Sequence, residues 1–157
     1  MTKAPYWKTT ALAQMSREQW ERLCDGCGRC CLHKVEDTDT DEIFYTSVAC
    51  RLLDTESCRC RHYRTRHRHV DDCIELRPEH LGNLGWLPET CAYRLLDEGK
   101  DLPHWHPLVS GDPDSVHRAG ISVSGKVCSA DGVSEDEYEE YLVDWVAVGR
   151  RTCPEVP

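Results

Sequence analysis

The apolar residues of this chain fall in short, broken groups rather than long runs. Near the C-terminal end, Tyr138, Tyr141, Leu142 and Trp145 recur at helical spacing on one face. Ser134-Glu-Asp-Glu137 ahead of them reads as a capping box, so the pattern predicts a helix over about 134–149. Ser16-Arg-Glu-Gln19 is a second capping box. The short helix it opens carries Trp20 and Leu23 one helical step apart and delivers the chain to Cys24. Pro88 can start a third helix and Gly99 can end it, with Cys91, Leu95 and Leu96 on a similar face. Pro78 to Leu84 suggests one helical turn or two. Strands are predicted at Glu42–Thr46 and, from its alternation, at Ile121–Ser124. Residues 24–31 are rich in glycine and cysteine and read as loop or distorted turn, and residues 50–73 as irregular. Pro103, Pro107, Gly111 and Pro113 make 103–119 a long loop, and the tail at 154–157 reads as frayed.

Composition changes this picture in one respect. The chain has 157 residues, 39% of them hydrophobic, with a single Phe, so one domain (1–157) with a modest core is expected. Its 11 cysteines, about 7% of the chain, are several times an ordinary intracellular share. Something other than apolar burial is therefore expected to hold the fold. The formal charge of −9, from 19 basic and 28 acidic side chains, lacks the basic footprint that nucleic acid requires. No apolar signal segment follows Met1 and no run of 18 apolar residues occurs, so the expected location is cytoplasmic, away from membranes. Thiols stay reduced there, and an odd cysteine count fits a disulfide framework poorly. So many cysteines are therefore expected to be metal ligands or catalytic groups rather than disulfides.

Cys24-Asp-Gly-Cys27-Gly-Arg-Cys30-Cys31 is the sharpest feature. A C-x-x-C turn brings two sulfurs close enough to grip one ion. Gly26 and Gly28 permit backbone angles that other residues resist, and their amides can donate to thiolate sulfur. The run matches the bacterial ferredoxin pattern at 24, 27 and 30, but Lys34 stands where that pattern needs its next cysteine. A zinc ribbon needs a second C-x2-C pair, and Cys58-Arg-Cys60 has the wrong spacing. Adjacent Cys30 and Cys31 rarely serve one tetrahedral ion, so they are expected to point to different metals or different iron atoms.

The C-x-x-C-x-x-C-C run, with Asp39–Thr46, Val48–Leu52, Trp86–Pro103 and the Trp105-His-Pro-Leu stretch, resembles the YcgN-like members of the bacterial CxxCxxCC family, described as zinc- or iron-chelating. The resemblance covers roughly residues 5 to 125. Its eight-cysteine pattern implies the ligand set Cys24, Cys27, Cys30, Cys31, Cys50, Cys60, Cys73 and Cys91. Cys60-Arg-His-Tyr63-Arg-Thr-Arg66 fits the family's C-x-x-Tyr-x-x-Arg element, although His67 replaces the usual proline. Cys58 is a ninth candidate that could compete with Cys60, while Cys128 and Cys153 lie outside the pattern. Eight thiolates is the count for two four-thiolate sites, holding zinc, iron–sulfur clusters or one of each. Zinc is the commoner structural four-cysteine metal. The C-x2-C-x2-C opening, and a related cluster in flagellin lysine methylases associated with an iron–sulfur centre, tip the balance to iron–sulfur.

Other features add little. Glu36–Glu42 fails as a calcium loop, because Glu42 and Val48 occupy the positions needing Gly and Glu. The arginines between 59 and 69, with His62, His67 and His69, read as charge compensation for a thiolate-rich centre. His104 and His106 read as loop residues, and His33 is the best histidine for a mixed site. No nucleophile–base signature, phosphate loop or dinucleotide fingerprint is present. The expected fold is a small α+β domain of short helices and a few short strands around a cysteine-ligated metal centre, with the cysteine region at about 20–100. Its expected role is redox or sensing through iron–sulfur or iron. The alternatives are a structural zinc module that binds a protein partner, and an enzyme that uses the cluster on an unassigned substrate.

Overall fold

The computed structural model describes residues 4–70 and 73–146. Cys153, the 147–149 end of the expected C-terminal helix and the 154–157 tail lie outside the described residues. The architecture is small α+β, with short helices around a three-stranded sheet of order β1-β2-β3.

The first capping box forms as its residues dictate. Ser16 Oγ accepts the Gln19 N–H at 3.1 Å and Gln19 Oε1 accepts the Ser16 N–H at 3.0 Å. They open α2, Arg17–Glu21, which follows a single-turn α1 at Tyr6–Thr9. Trp20 and Leu23 are buried and seed a cluster with Leu84, Leu87, Ala92, Tyr93 and Leu102. Tyr93 and Ala92 come from α4, Ala92–Asp97, which follows a single-turn α3 at Arg66–His69. This helix starts later than Pro88, because Cys91 rather than Pro88 stands at its N-cap, and Gly99 follows it at φ +78°.

A second cluster gathers Leu32, Tyr45, Ala49, Leu53, Cys58, Val123, Val143 and Val146. It is built on an antiparallel hairpin of β1, Leu32–Glu36, and β2, Ile43–Ala49. The register runs Glu36↔Ile43, Val35↔Phe44 and Lys34↔Tyr45, then breaks before Leu32↔Ala49. Buried Thr46 occupies the bulge, donating to the His33 carbonyl at 2.8 Å and accepting the Val48 N–H at 3.1 Å. β3, Cys128–Ser129, pairs in parallel with Val48 and Ala49. The Tyr45 hydroxyl, donating to the Trp86 carbonyl at 2.7 Å, links the two clusters.

Three expectations are corrected. Ile121–Ser124 is not a strand, because loop partners take its backbone groups. Ile121 N–H donates to the Val116 carbonyl, Ile121 carbonyl accepts Arg29 Nε, and Val123 N–H donates to the Cys27 carbonyl. The 103–119 loop contains two single-turn helices, α5 at Pro107–Ser110 and α6 at Ser115–Arg118. Pro107 sits at the first turn of α5, and His106 Nδ1 caps it by accepting the Leu108 N–H. The expected 134–149 helix is instead a 3-10 helix over Glu135–Tyr141 that turns extended at Leu142. Its carboxylates repel at helical spacing and no cation lies in its last turn. Val143 N–H then donates to the Tyr45 carbonyl, which draws the chain to the sheet edge and breaks the helical face of Tyr138, Tyr141, Leu142 and Trp145.

The cysteine loop is threaded between these clusters at Gly28. A Cβ there would lie 2.9 Å from Val123 Cγ2 and 3.2 Å from Cys58 Cβ, and φ is +77°. Gly26 has φ +79° but open space around it. Gly26→Ala should therefore cost about 1 kcal/mol for the left-handed backbone alone. Gly28→Ala should cost about 1–3 kcal/mol more from the clash. Urea unfolding midpoints compare the two, and equal losses would contradict this account.

Candidate metal centre

Residues 24–28 leave α2 as irregular chain, and Arg29–Cys31 form a 3-10 turn that enters β1. The loop is pinned by charge and backbone. Arg29 is only 5% exposed, yet its Nε donates to the Ile121 carbonyl at 2.7 Å and its Nη1 reaches Thr90 Oγ1 at 3.5 Å. Its guanidinium also lies 5.6 Å from the Trp145 ring centroid. Asp25 is 8% exposed, and its Oδ1 accepts the Cys27 N–H at 3.0 Å. Its Oδ2 is buried and has no hydrogen-bond partner among the described residues. The sequence reading missed both residues. The available signal was a carboxylate and a guanidinium placed inside a Cys/Gly loop, where burial makes charge costly unless a counter-charge is near.

The cysteines around this loop are neighbours. Burial, then charge on Cys30 and Asp25, pushes the Cys24 thiol up to about 12. Burial, then charge on Cys30, pushes Cys91 up to about 12. Burial, then Asp25 and Cys30, raises Cys27 well above its ordinary value. A hydrogen bond from Cys31 lowers Cys30 and raises Cys31 in turn. Burial raises Cys73, against the pull of Arg66, whose charge and hydrogen bond favour the thiolate. Backbone N–H groups also aim at sulfur. Arg29 N–H donates to Cys27 Sγ at 3.4 Å, and the backbone N–H groups of Gly26 beside Cys24 and of Tyr93 and Arg94 beside Cys91 favour negative sulfur.

The implied ligands divide in placement. Cys24 and Cys30 are exposed, Cys27 is buried, and Cys31, Cys50, Cys60, Cys73 and Cys91 are half-buried. All described cysteines are free thiols. Cys58 sits apart from them at φ +63°, packed in the core with Leu53 and Val123, where burial raises its thiol against the polar groups of the 122–124 segment. Cys128 lies on β3, its thiol 3.7 Å from the Ser47 carbonyl. His106 is fully buried and uses both ring nitrogens, Nδ1 accepting from Leu108 and Nε2 lying 2.7 Å from the Leu23 carbonyl. It is a structural residue, as its loop position suggested. His33 lies on β1 with its ring 4.9 Å from that of Tyr138.

The donor set fits a thiophilic metal. It consists of soft, reduced sulfur ligands beside a buried carboxylate oxygen with no partner among the described residues. Among the described residues, no three His, Cys, Asp or Glu side chains are drawn together closely enough to enclose an ion. The thiols are thus gathered but not closed into a cage. No described helix is long and apolar enough to cross a membrane.

Comparison with known proteins agrees with this chemistry. The CxxCxxCC family, described as a "Putative zinc- or iron-chelating domain", matches residues 23–92. That span holds all eight thiols of the implied set, which supports metal binding as the general property of the chain. A UPF0260 protein of Allorhizobium ampelinum is 56% identical over 145 residues, covering 92% of this chain and 91% of the relative. One from Rhizobium meliloti is 55% identical over 151 residues, covering 96% and 97%. One from Azotobacter vinelandii is 56% identical over 139 residues, covering 88% and 93%. No solved structure matches the chain. With that identity extending over nearly the full length of each relative, the chain belongs to the bacterial UPF0260 family.

Proposed function

We propose that this chain binds metal through its cysteine cluster, and that the bound form is iron–sulfur with a redox or sensing role. The observation that carries the metal reading is the match to the CxxCxxCC family over residues 23–92, which spans all eight thiols. Without a cation, desolvation and the charge of Cys30 and Asp25 oppose thiolate formation at Cys24, Cys27 and Cys91. A bound metal reverses this balance, because it deprotonates its thiol ligands outright. The residues proposed to hold it are Cys24, Cys27, Cys30, Cys31, Cys50, Cys60, Cys73 and Cys91. N–H groups beside Cys24, Cys27 and Cys91 stabilise negative sulfur, one of the means by which proteins set cluster potentials. Exposed Cys24 and Cys30 leave one edge of the loop open to solvent, which suits electron exchange or sensing better than a sealed structural site.

One observation favours the structural zinc module instead. The loop runs between two small apolar clusters, where a metal would add stability that their burial does not supply. The metal itself separates these readings. Protein isolated without oxygen should be brown and contain iron with acid-labile sulfide, whereas a colourless protein with stoichiometric zinc would sink the iron–sulfur reading.

Two further outcomes follow from the thiol chemistry. Cys27→Ser should lower metal loading and the unfolding midpoint, since metal binding and folding are coupled in such sites. Full metal content with wild-type stability in that variant would contradict the assignment. The metal-free, reduced protein should also lose stability in alkali. Its unfolded thiols ionise near 9.0, but half-buried Cys91 holds its proton to about 12. The folded state therefore binds more protons than the unfolded one across that window, and its stability falls as pH rises from 9 towards 12. Thermal unfolding in reductant checks this, and a midpoint that climbs over the same range would refute it.

A further inference from the structure

We infer that the eight cysteines form two separate four-thiol centres, one from Cys24, Cys27, Cys30 and Cys91 and the other from Cys31, Cys50, Cys60 and Cys73, meeting at the adjacent pair Cys30 and Cys31. This deepens the metal-binding reading and rests on it.

The backbone sorts the two sets. Cys91 comes from a distant part of the chain, and the residues on either side of it are tied to the 20–30 segment. Thr90 Oγ1 takes the contact from Arg29, two residues past Cys27. The Tyr93 hydroxyl donates to the Trp20 carbonyl at 2.7 Å, four residues before Cys24, and the two rings lie 4.8 Å apart. Cys91 itself packs against the Trp20–Leu23 cluster. These contacts place Cys91 beside the first three cysteines of the loop.

Cys31 turns the other way, against the cluster built on the hairpin. Its carbonyl accepts the Cys50 N–H at 2.8 Å, which sets Cys31 and Cys50 side by side where β1 meets the end of β2. The turn after Cys50 is the hub of the second set. Leu53 bridges to Cys60, and Arg61 N–H donates to the Leu52 carbonyl at 2.8 Å. Arg51 holds the His69 carbonyl, and Cys73 N–H donates to the Val70 carbonyl at 3.4 Å. Three separate segments thus return to one short turn, each bringing one cysteine.

Consecutive residues of a 3-10 turn project about 120° apart, so neighbouring cysteines can serve different centres. Cys58 is assigned to neither set, because it is buried in the hairpin core with Leu53 and Val123. Cys60 is preferred over it on that ground.

The test uses the full chain, reduced and metal-free, loaded anaerobically with cobalt(II) and counted by native mass spectrometry. Wild type and Cys58→Ser should each take two ions. Cys91→Ser and Cys60→Ser should each take one. The within-set double variant Cys24→Ser/Cys91→Ser should still take one, while the cross-set variant Cys60→Ser/Cys91→Ser should take none. The division is overturned if either single variant loses both ions, if the within-set double loses both, or if the cross-set double keeps one. Wild-type protein should also show four sulfur neighbours per cobalt by X-ray absorption, a reading that needs no variant to fold. Two ions with a different sulfur count would reject the division alone. A wild-type protein that takes no cobalt would overturn the metal-binding reading itself.

Discussion

The rest of the structure depends on the passage of residues 24–31 between two small apolar clusters. Neither cluster is large, and the segment between them is held by polar contacts instead. Arg29 reaches Ile121 and Thr90, Asp25 holds the Cys27 amide, and Cys27 carbonyl receives the Val123 amide. Gly28 sits where these contacts leave no room for a side chain. The segment that carries four thiols is therefore also the seam of the fold. A change in those thiols, by metal loading or loss, acts on both halves at once.

The electrostatics of the seam follow from its composition. Buried thiols and a buried carboxylate share a space with one buried guanidinium, so negative charge is resisted until a cation arrives. Filling two four-thiolate sites with divalent ions would carry the formal charge of −9 to about −13. The arginine-rich stretch is placed to offset part of that. Arg66 favours the Cys73 thiolate and lies 4.2 Å from the Tyr63 ring centroid, while Tyr63 in turn donates to Glu21 at 2.6 Å. Arg66 thus serves as local counter-charge to the thiol region, in keeping with the acidic balance of the whole chain.

Local chemistry was the legible part of the sequence. The Ser16–Gln19 capping box, the looped 24–31 run, β2 and the helix ended by Gly99 all follow from residues acting on near neighbours. What could not be read was decided by distant partners. Alternation at Ile121–Ser124 looked like a strand, but its backbone is claimed by Val116, Arg29 and Cys27. The helical period at Tyr138–Trp145 gave way to a pairing with Tyr45 that no local pattern announces. β1 escaped notice because Leu32–Glu36 has no clean alternation, and only β2 makes it a strand. The cysteine motif identified the thiol-rich region, whereas the burial of Asp25 and Arg29 within it emerged only from the fold.

The central claim is that these cysteines hold metal rather than one another. The most direct measurement is the native mass of the full chain isolated without oxygen, before and after complete thiol alkylation under denaturing conditions. The account predicts a mass above that of the bare chain by the bound metal, all of it lost on unfolding, with every cysteine then alkylated. A native mass equal to the bare chain, or one short by pairs of hydrogens with cysteines that resist alkylation until reduced, would contradict it.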